Sequence, residues 1–188
     1  MSNEKKDWLR EYLELYKSSI FNVSMYDDLV KVQTLWQDVH NRGNKVIFLG
    51  NGGSAAIASH CAVDLTKNAG IRAINFNEAD LITCFANDYG YEKWMAKALE
   101  FYGDERDILV LISSSGRSKN VLQASEKAKQ MGIEVITFSG FDEDNPLRQV
   151  GSINLWVDSH AYNIVEMTHH IWLLAVVDLI IGNAEYFA

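Results

Sequence analysis

The sequence alternates short apolar runs with helical patterns, and this alternation constrains the fold more than any other feature. Strand-like runs occupy five stretches: 45–50, 73–76, 107–113, 134–140 and 153–157. Several are continuously apolar, which is typical of strands buried on both faces. Residues at helical spacing fill the stretches between and after them: 54–68, about 78–101, 118–131 and about 162–182. This order predicts a doubly wound α/β fold around a parallel sheet, with ligands bound beyond the carboxyl ends of the strands.

The first forty residues carry a different pattern, with apolar side chains three and four positions apart. They are Leu9, Leu13, Tyr16 and Ile20, followed by Leu29, Val32, Trp36 and Val39. This spacing predicts one long or two shorter amphipathic helices. No linker-like stretch interrupts the 188 residues, a length that suits one domain. We therefore expect a single domain over 1–188, with N-terminal helices over 1–42 and an α/β core over 43–188.

The charge balance narrows the class of partner. The formal net charge is −8 at pH 7, and no block of Lys or Arg occurs. Because a nucleic-acid backbone is bound through clustered cations, we expect no nucleic-acid partner. The opening residues are charged, and the most apolar stretch contains Asp178, so we expect neither a signal peptide nor membrane association. Cys61 and Cys84 lack metal or redox spacing, and we interpret them as reduced thiols of a cytoplasmic protein.

Two strand-to-helix loops share the same chemistry. Asn51-Gly52-Gly53-Ser54 follows the first strand-like run, and the serine-rich segment 113–118 follows the third. Glycines let backbone N–H groups approach a ligand, helix N-termini carry partial positive charge, and hydroxyls donate hydrogen bonds. The two loops therefore predict an anion site, although Ser54 and Ser118 could instead be ordinary helix N-caps. Neither GxGxxG nor a P-loop pattern is present, which favours a sugar phosphate as ligand and predicts no nucleotide cofactor.

Four motifs resemble those of the sugar isomerase (SIS) domain family, particularly its phosphoheptose isomerase branch. They are GNGGSAA at 50–56, SHCAVDL at 59–65, ANDYGYE at 86–92 and ISSSGRSKNVLQA at 112–124. The resemblance implies a three-layer αβα sandwich with a five-stranded parallel sheet of flavodoxin-like type. It also implies a homotetramer with sites at subunit interfaces, where the N-terminal helices pack. When the motifs are matched position by position, the resemblance implies a set of residues that bind substrate and phosphate. They are Asn51, Gly52, Gly53, Ser54, Asp88, Ser113, Ser114, Ser115 and Ser118.

The activity implied by the resemblance is aldose–ketose isomerisation. The expected reaction converts sedoheptulose 7-phosphate to D-glycero-D-manno-heptose 7-phosphate, for bacterial lipopolysaccharide or capsule synthesis. Such a reaction needs a base to move a proton between adjacent carbons. His60 and Asp64 are four apart on one predicted helix and share a face. In the branch, the matching His and a Glu face the substrate and take part in zinc binding, and the Glu is the base. The resemblance thus assigns His60 and Asp64 as catalytic residues and as metal ligands, unless they are merely a half-buried histidine and a surface charge.

The last predicted helix departs from the branch, which has R-I-Q-E-x-H-x-x-x-x-H. When NIVEMTHHIWL is aligned on the shared Ile-x-Glu, Glu166 matches the Glu of the branch. Val165 then stands where the branch has its Gln, and Leu173 stands where it has its final His. In the branch, that Gln and that His complete the metal site. His169 lies four positions from each and on the same stripe, so we expect it to join His60 and Asp64 in catalysis or as a ligand. Alternatively, His169 or His170 serves only a hydrogen bond between subunits. The resemblance therefore implies zinc as a cofactor, and the altered helix leaves a metal-free mechanism open.

The same departure leaves a second class of function open. A non-catalytic SIS-domain protein would bind a phosphosugar or act as an adaptor for a protein such as a replication initiator. A sugar-phosphate-sensing regulator is a weaker alternative, because no DNA-binding segment accompanies the domain.

Overall fold

Five parallel strands form the sheet at the centre of the structure, a computed structural model that describes residues 2–186. The strand order is β2-β1-β3-β4-β5. The strands are β1 Val46–Gly50, β2 Ala73–Asn75, β3 Ile108–Ser113, β4 Glu134–Ser139 and β5 Ile153–Trp156. The predicted doubly wound parallel sheet is therefore confirmed. Because the order reverses direction at β1, the carboxyl ends of β1 and β3 form the crevice where such folds bind ligands.

Helices cover both faces of this sheet. They are α1 Ser2–Ile20, α2 Tyr26–Asn41, α3 Gly53–Lys67, α4 Ala79–Tyr89, α5 Trp94–Tyr102, α6 Lys119–Gln130 and α7 Tyr162–Ile181. The N-terminal region forms two helices separated by a short 3-10 turn at Val23–Met25. The expectation of one helix over 78–101 was wrong. Gly90, with φ of +86°, ends α4, and a turn separates it from α5.

Alternating side chains of the central strands supply two hydrophobic layers. Phe48 and Val110 face the layer that contains α2, α3 and α7. Ile47 and Leu109 face the layer that contains α5 and α6. Every residue of β1 and β3 is buried, as their continuously apolar sequences predict. By length and composition alone α7 could also cross a membrane, but this is weak evidence because buried core helices pass the same test.

The N-terminal helix α1 packs on one edge of this core through few anchors. Trp172 of α7 donates its indole N–H to the Ile20 carbonyl at 3.1 Å, and Tyr16 donates to the Asn163 carbonyl at 3.4 Å. Several large apolar side chains of α1 nevertheless face solvent, including Trp8 and Leu13, which are 60% and 59% exposed. A monomer rarely leaves an apolar helix face uncovered, so this surface is suited to contact another chain.

Candidate functional site

The two predicted loops lie side by side because their strands are neighbours in the sheet. Gly50 of β1 is in register with Ile112 of β3, so Asn51 and Ser113 follow at the same edge. Between the loops lies a cavity of about 280 Å³. Its lining consists of Asn51, Gly52, Gly53, Ser54, Ile112, Ser113, Ser114, Ser115, Ser118, Tyr162 and Glu166. Eight of the nine residues expected to bind substrate or phosphate therefore line one cavity, and Asp88 is the exception.

The first loop has a backbone that requires glycine. Gly52 has φ of +55° and ψ of −121°, a conformation that side-chain-bearing residues rarely adopt. Gly53 begins α3, and a Cβ there would come within 2.7 Å of the Glu166 carboxylate. Gly52, Gly53 and Ser54 all line the cavity, so the α3 N-terminus, where backbone N–H groups lack helical partners, faces it.

A pair of amides joins the two loops. Asn51 and Asn120 donate to each other's side-chain oxygens at 3.0 and 2.9 Å, and the Tyr91 hydroxyl donates to Asn51 Oδ1 at 3.2 Å. Tyr91 is 59% exposed and nevertheless reaches into this network. The orientation of the first loop is thus fixed by residues of α6 and of the segment between α4 and α5.

The serines of the second loop are not used as helix caps. Ser118 stands at the N-cap of α6 but makes no capping hydrogen bond, and Gly52 rather than Ser54 caps α3. The hydroxyls of Ser113 and Ser118 lie 3.4 Å apart, and Ser115 Oγ accepts from the Arg117 N–H at 3.3 Å. The Ser114 hydroxyl is buried without a partner among the described residues. Because a buried hydroxyl without a partner is costly, the loop is better suited to receive ligand oxygens than to cap helices.

A larger and more open cavity, of about 750 Å³, lies elsewhere. Its lining mixes carboxylates such as Asp28 and Glu143 with the cations Lys31 and Arg148, and it includes none of the predicted site residues. Size alone therefore does not identify the site in this chain.

His60 and Asp64 share an exposed face of α3, as their spacing predicts. His60 Nε2 lies 3.3 Å from Asp64 Oδ2, and His60 Nδ1 lies 2.8 Å from Nε2 of His170. His170 and His60 thus share a hydrogen bond, and the Asp64 carboxylate lies beside the other ring nitrogen of His60 at ion-pair distance. Burial, and then the neighbouring His60, lowers the pKa of His170.

The expected grouping of His169 with His60 and Asp64 is corrected by the structure. His169 is fully buried, and its Nε2–H donates to the Ser139 carbonyl at 2.9 Å. Burial lowers the pKa of His169 to about 4. Val165 and Leu173 are buried on the same stripe of α7. The stripe of Val165, His169 and Leu173 packs into the core. The residues of α7 that face the candidate site are therefore Glu166, one position after Val165, and His170, one position after His169.

The zinc site implied by the resemblance does not fit these residues. Two of its positions are the buried apolar Val165 and Leu173, which offer no donor atom. Among residues 2–186, no group of three or more His, Cys, Asp or Glu side chains is arranged to hold a metal ion.

Asp88, which was expected to contact substrate, and the cations Arg117 and Lys67 all lie outside the lining of the cavity. Asp88 is exposed near the end of α4, where it accepts from the Asn87 amide at 2.9 Å. Arg117 extends from the serine loop toward Asp142 and Asp144, at 3.1 and 3.5 Å, rather than into the cavity. Lys67 ends α3, at the opposite end from Gly53.

Glu166 is the cavity residue that the sequence reasoning left without a role. It faces the α3 N-terminus, and burial raises the pKa of its carboxyl. Its only sequence signal is the match to the Ile-x-Glu of the branch motif. Tyr162 and Ile112 also line the cavity and carried no signal.

Comparisons with known proteins agree with this geometry. The SIS domain model matches residues 11–140. A phosphoheptose isomerase from Akkermansia muciniphila is 33% identical over 152 residues, which cover 78% of this chain and 80% of that protein. One from Helicobacter pylori strain P12 is 42% identical over 117 residues, which span only 60% of that protein and 59% of this chain.

Solved structures give the same result over nearly the whole chain. The structure of a phosphoheptose isomerase from Francisella tularensis superposes with a TM-score of 0.87 and 26% identity, covering 97% of this chain and all of that one. Phosphoheptose isomerase GmhA from Neisseria gonorrhoeae gives a TM-score of 0.84 and 25% identity, covering 95% of this chain and 98% of that one. This chain therefore belongs to the SIS domain family, in its phosphoheptose isomerase branch.

Proposed function

We propose that this protein is a ketose–aldose isomerase that converts sedoheptulose 7-phosphate to D-glycero-D-manno-heptose 7-phosphate. The observation that carries the proposal is the cavity between the ends of β1 and β3, lined by five serines and the α3 N-terminus. Hydroxyl and backbone N–H donors suit a phosphate group, and no basic side chain lines this cavity to attract other anions strongly. Membership of the phosphoheptose isomerase branch supports the seven-carbon substrate.

In the proposed reaction, the serine loop holds the phosphate and Asp64 moves a proton between C1 and C2. His60 lies 3.3 Å from Asp64 and orients its carboxylate, and His170 in turn fixes the His60 ring. Oriented donors and a base near the reacting carbons are what enediol formation needs. No step requires a metal or a nucleotide cofactor. The product would enter surface-polysaccharide synthesis in the cytoplasm.

We further propose that the enzyme acts as a homotetramer with sites near subunit interfaces. The exposed apolar side chains of α1 provide surface for such contacts. Asp88 and the exposed His60 face lie outside the cavity of their own chain, which is consistent with a site completed in the assembly.

The test is NMR-monitored conversion of sedoheptulose 7-phosphate by purified protein, with an Asp64→Asn variant alongside. Turnover by the wild type and a loss of at least about 100-fold in Asp64→Asn are expected for removal of a general base. Absence of turnover on this and on six-carbon ketose phosphates would reject the isomerase.

One observation favours a non-catalytic alternative, namely the apolar residues Val165 and Leu173 at positions where the branch has donors. An adaptor would bind its partner protein equally well as the wild type and as the Asp64→Asn variant. Equal recovery of that partner by both proteins, together with no turnover, would select this alternative.

A further inference from the structure

The side-chain amide of Asn51, at the edge of the serine-lined cavity, already makes most of its hydrogen bonds within the protein. Its Oδ1 accepts from Asn120 Nδ2 at 2.9 Å and from the Tyr91 hydroxyl at 3.2 Å. Its Nδ2 donates to Asn120 Oδ1 at 3.0 Å. Because an amide oxygen has two lone pairs and an amide nitrogen has two protons, the contacts within residues 2–186 leave one N–H of Asn51 for a ligand.

A backbone donor fixes which way these amides point. Asn120 Oδ1 also accepts from the backbone N–H of Val121 at 3.0 Å. Since a backbone N–H can only donate, this contact identifies the oxygen of the buried Asn120 amide. The reciprocal pair then places Asn51 Oδ1, and not Nδ2, beside Asn120 Nδ2 and the Tyr91 hydroxyl. The Tyr91 hydroxyl is therefore the donor in its contact with Asn51.

Packing does not explain why the Tyr91 hydroxyl bonds Asn51. Tyr91 is largely exposed and lies outside the lining of the cavity, so its hydroxyl has access to water as an alternative partner. The segment that carries it is nevertheless held against α6, because the adjacent Glu92 pairs with Lys119 at 2.8 Å. Lys119 directly precedes Asn120, so Tyr91 and Glu92 contact the same end of α6 and the first loop.

We propose that Tyr91 is a positioning residue that restricts Asn51 to donating a hydrogen bond to the phosphate of the substrate. This inference rests on the isomerase function proposed above and names a further residue of its site. With both lone pairs of Oδ1 occupied, Asn51 offers the cavity an N–H and no acceptor. It therefore favours oxygens that carry no proton, such as those of a phosphate dianion, over hydroxyl groups. Without the Tyr91 hydroxyl, one lone pair of Oδ1 is open to water and the amide is less firmly oriented.

The test is a double-mutant cycle of the wild type, Tyr91→Phe, Asn51→Ala and the double variant. Isothermal titration calorimetry measures the binding of inorganic phosphate without any need for turnover, and kinetics with sedoheptulose 7-phosphate give kcat and KM. Tyr102→Phe is the matched control, because Tyr102 is also exposed and packs on Phe76 outside the cavity.

We expect Tyr91→Phe to raise KM and the dissociation constant of phosphate about fivefold, with kcat within about twofold, because an orienting hydrogen bond is lost. In the Asn51→Ala background the same change should alter phosphate binding less than about twofold, since Tyr91 acts through Asn51. Tyr102→Phe should match the wild type in every measurement.

Each contrary result has its own meaning. Phosphate binding by Tyr91→Phe within about twofold of the wild type would overturn the inference and leave the isomerase standing. An equal effect of Tyr91→Phe with and without Asn51 would show that Tyr91 does not act through that amide. If Asn51→Ala does not fold, Tyr91→Phe decides alone, because a fall in kcat as large as the rise in KM would indicate a disrupted site. A wild type that binds phosphate but shows no turnover would reject the proposed function, and calorimetry would still decide the role of Tyr91.

Discussion

The wild type should lose stability as the pH falls below neutrality, and replacing His169 with glutamine should remove this pH dependence. In the folded protein His169 is fully buried, and its pKa is about 4 rather than the ordinary 6.5. Between these values the unfolded chain binds a proton that the folded chain does not, so protonation favours unfolding. The contribution is fully present above pH 6.5 and is lost as the pH falls toward 4. The difference corresponds to about 3 kcal/mol in total, of which about 2 kcal/mol falls between pH 7 and pH 5.

Urea-induced unfolding, followed by tryptophan fluorescence at pH 7 and pH 5 and at one protein concentration, measures this effect. Between pH 7 and pH 5, the free energy of unfolding of the wild type should fall by about 2 kcal/mol more than that of His169→Gln. Glutamine keeps a donor for the Ser139 carbonyl but cannot take up the proton. His40→Gln, at an exposed position of α2, should behave as the wild type. Equal losses in the wild type and in His169→Gln would refute the burial argument, and a 100-fold loss of turnover in His169→Gln at pH 7 would restore the catalytic role that the sequence suggested.

Four further changes have defined outcomes. Gly52→Ala should lower stability by about 1–3 kcal/mol in urea denaturation, because alanine rarely adopts φ of +55° with ψ of −121°. Asp107→Asn should cost about 3 kcal/mol or more in the same assay, since fully buried Asp107 pairs with the Lys45 ammonium at 2.6 Å. Ser118→Ala should weaken inhibition by inorganic phosphate several-fold at unchanged thermal stability, because its hydroxyl caps no helix. A chelator should leave turnover of sedoheptulose 7-phosphate unchanged, and dependence on added zinc would show that the residues rearrange to bind metal.

The sheet and the two loops that line the cavity could be predicted from the sequence because their signals are local. A continuously apolar run such as Val46–Gly50 specifies a strand buried on both faces, and the glycines and serines that follow it specify the loop. The break between α4 and α5 was missed because the apolar spacing continues across Gly90. A single glycine in a helical pattern does not reveal by itself whether its φ will be positive.

The α7 half of the site could not be predicted reliably because it depends on the rotation of a helix about its axis. Glu166 and His170 face α3, whereas Val165 and His169 face the core, and neighbouring residues differ by about 100° around a helix. The helix is apolar on nearly every side, so the sequence provides no polar stripe to fix this rotation. Only packing against Gly140 and Phe138 decides that Val165 and His169 point inward.

The mutual amide bonds of Asn51 and Asn120 have a consequence for which substitutions this chain can accept. They tie the two cavity loops into one unit, in which a change at either asparagine would leave its partner's amide unsatisfied. The α7 residues that face the cavity belong to no such reciprocal pair with the loops. Substitutions in α7 can therefore reshape the wall of the cavity opposite the loops without breaking this pair.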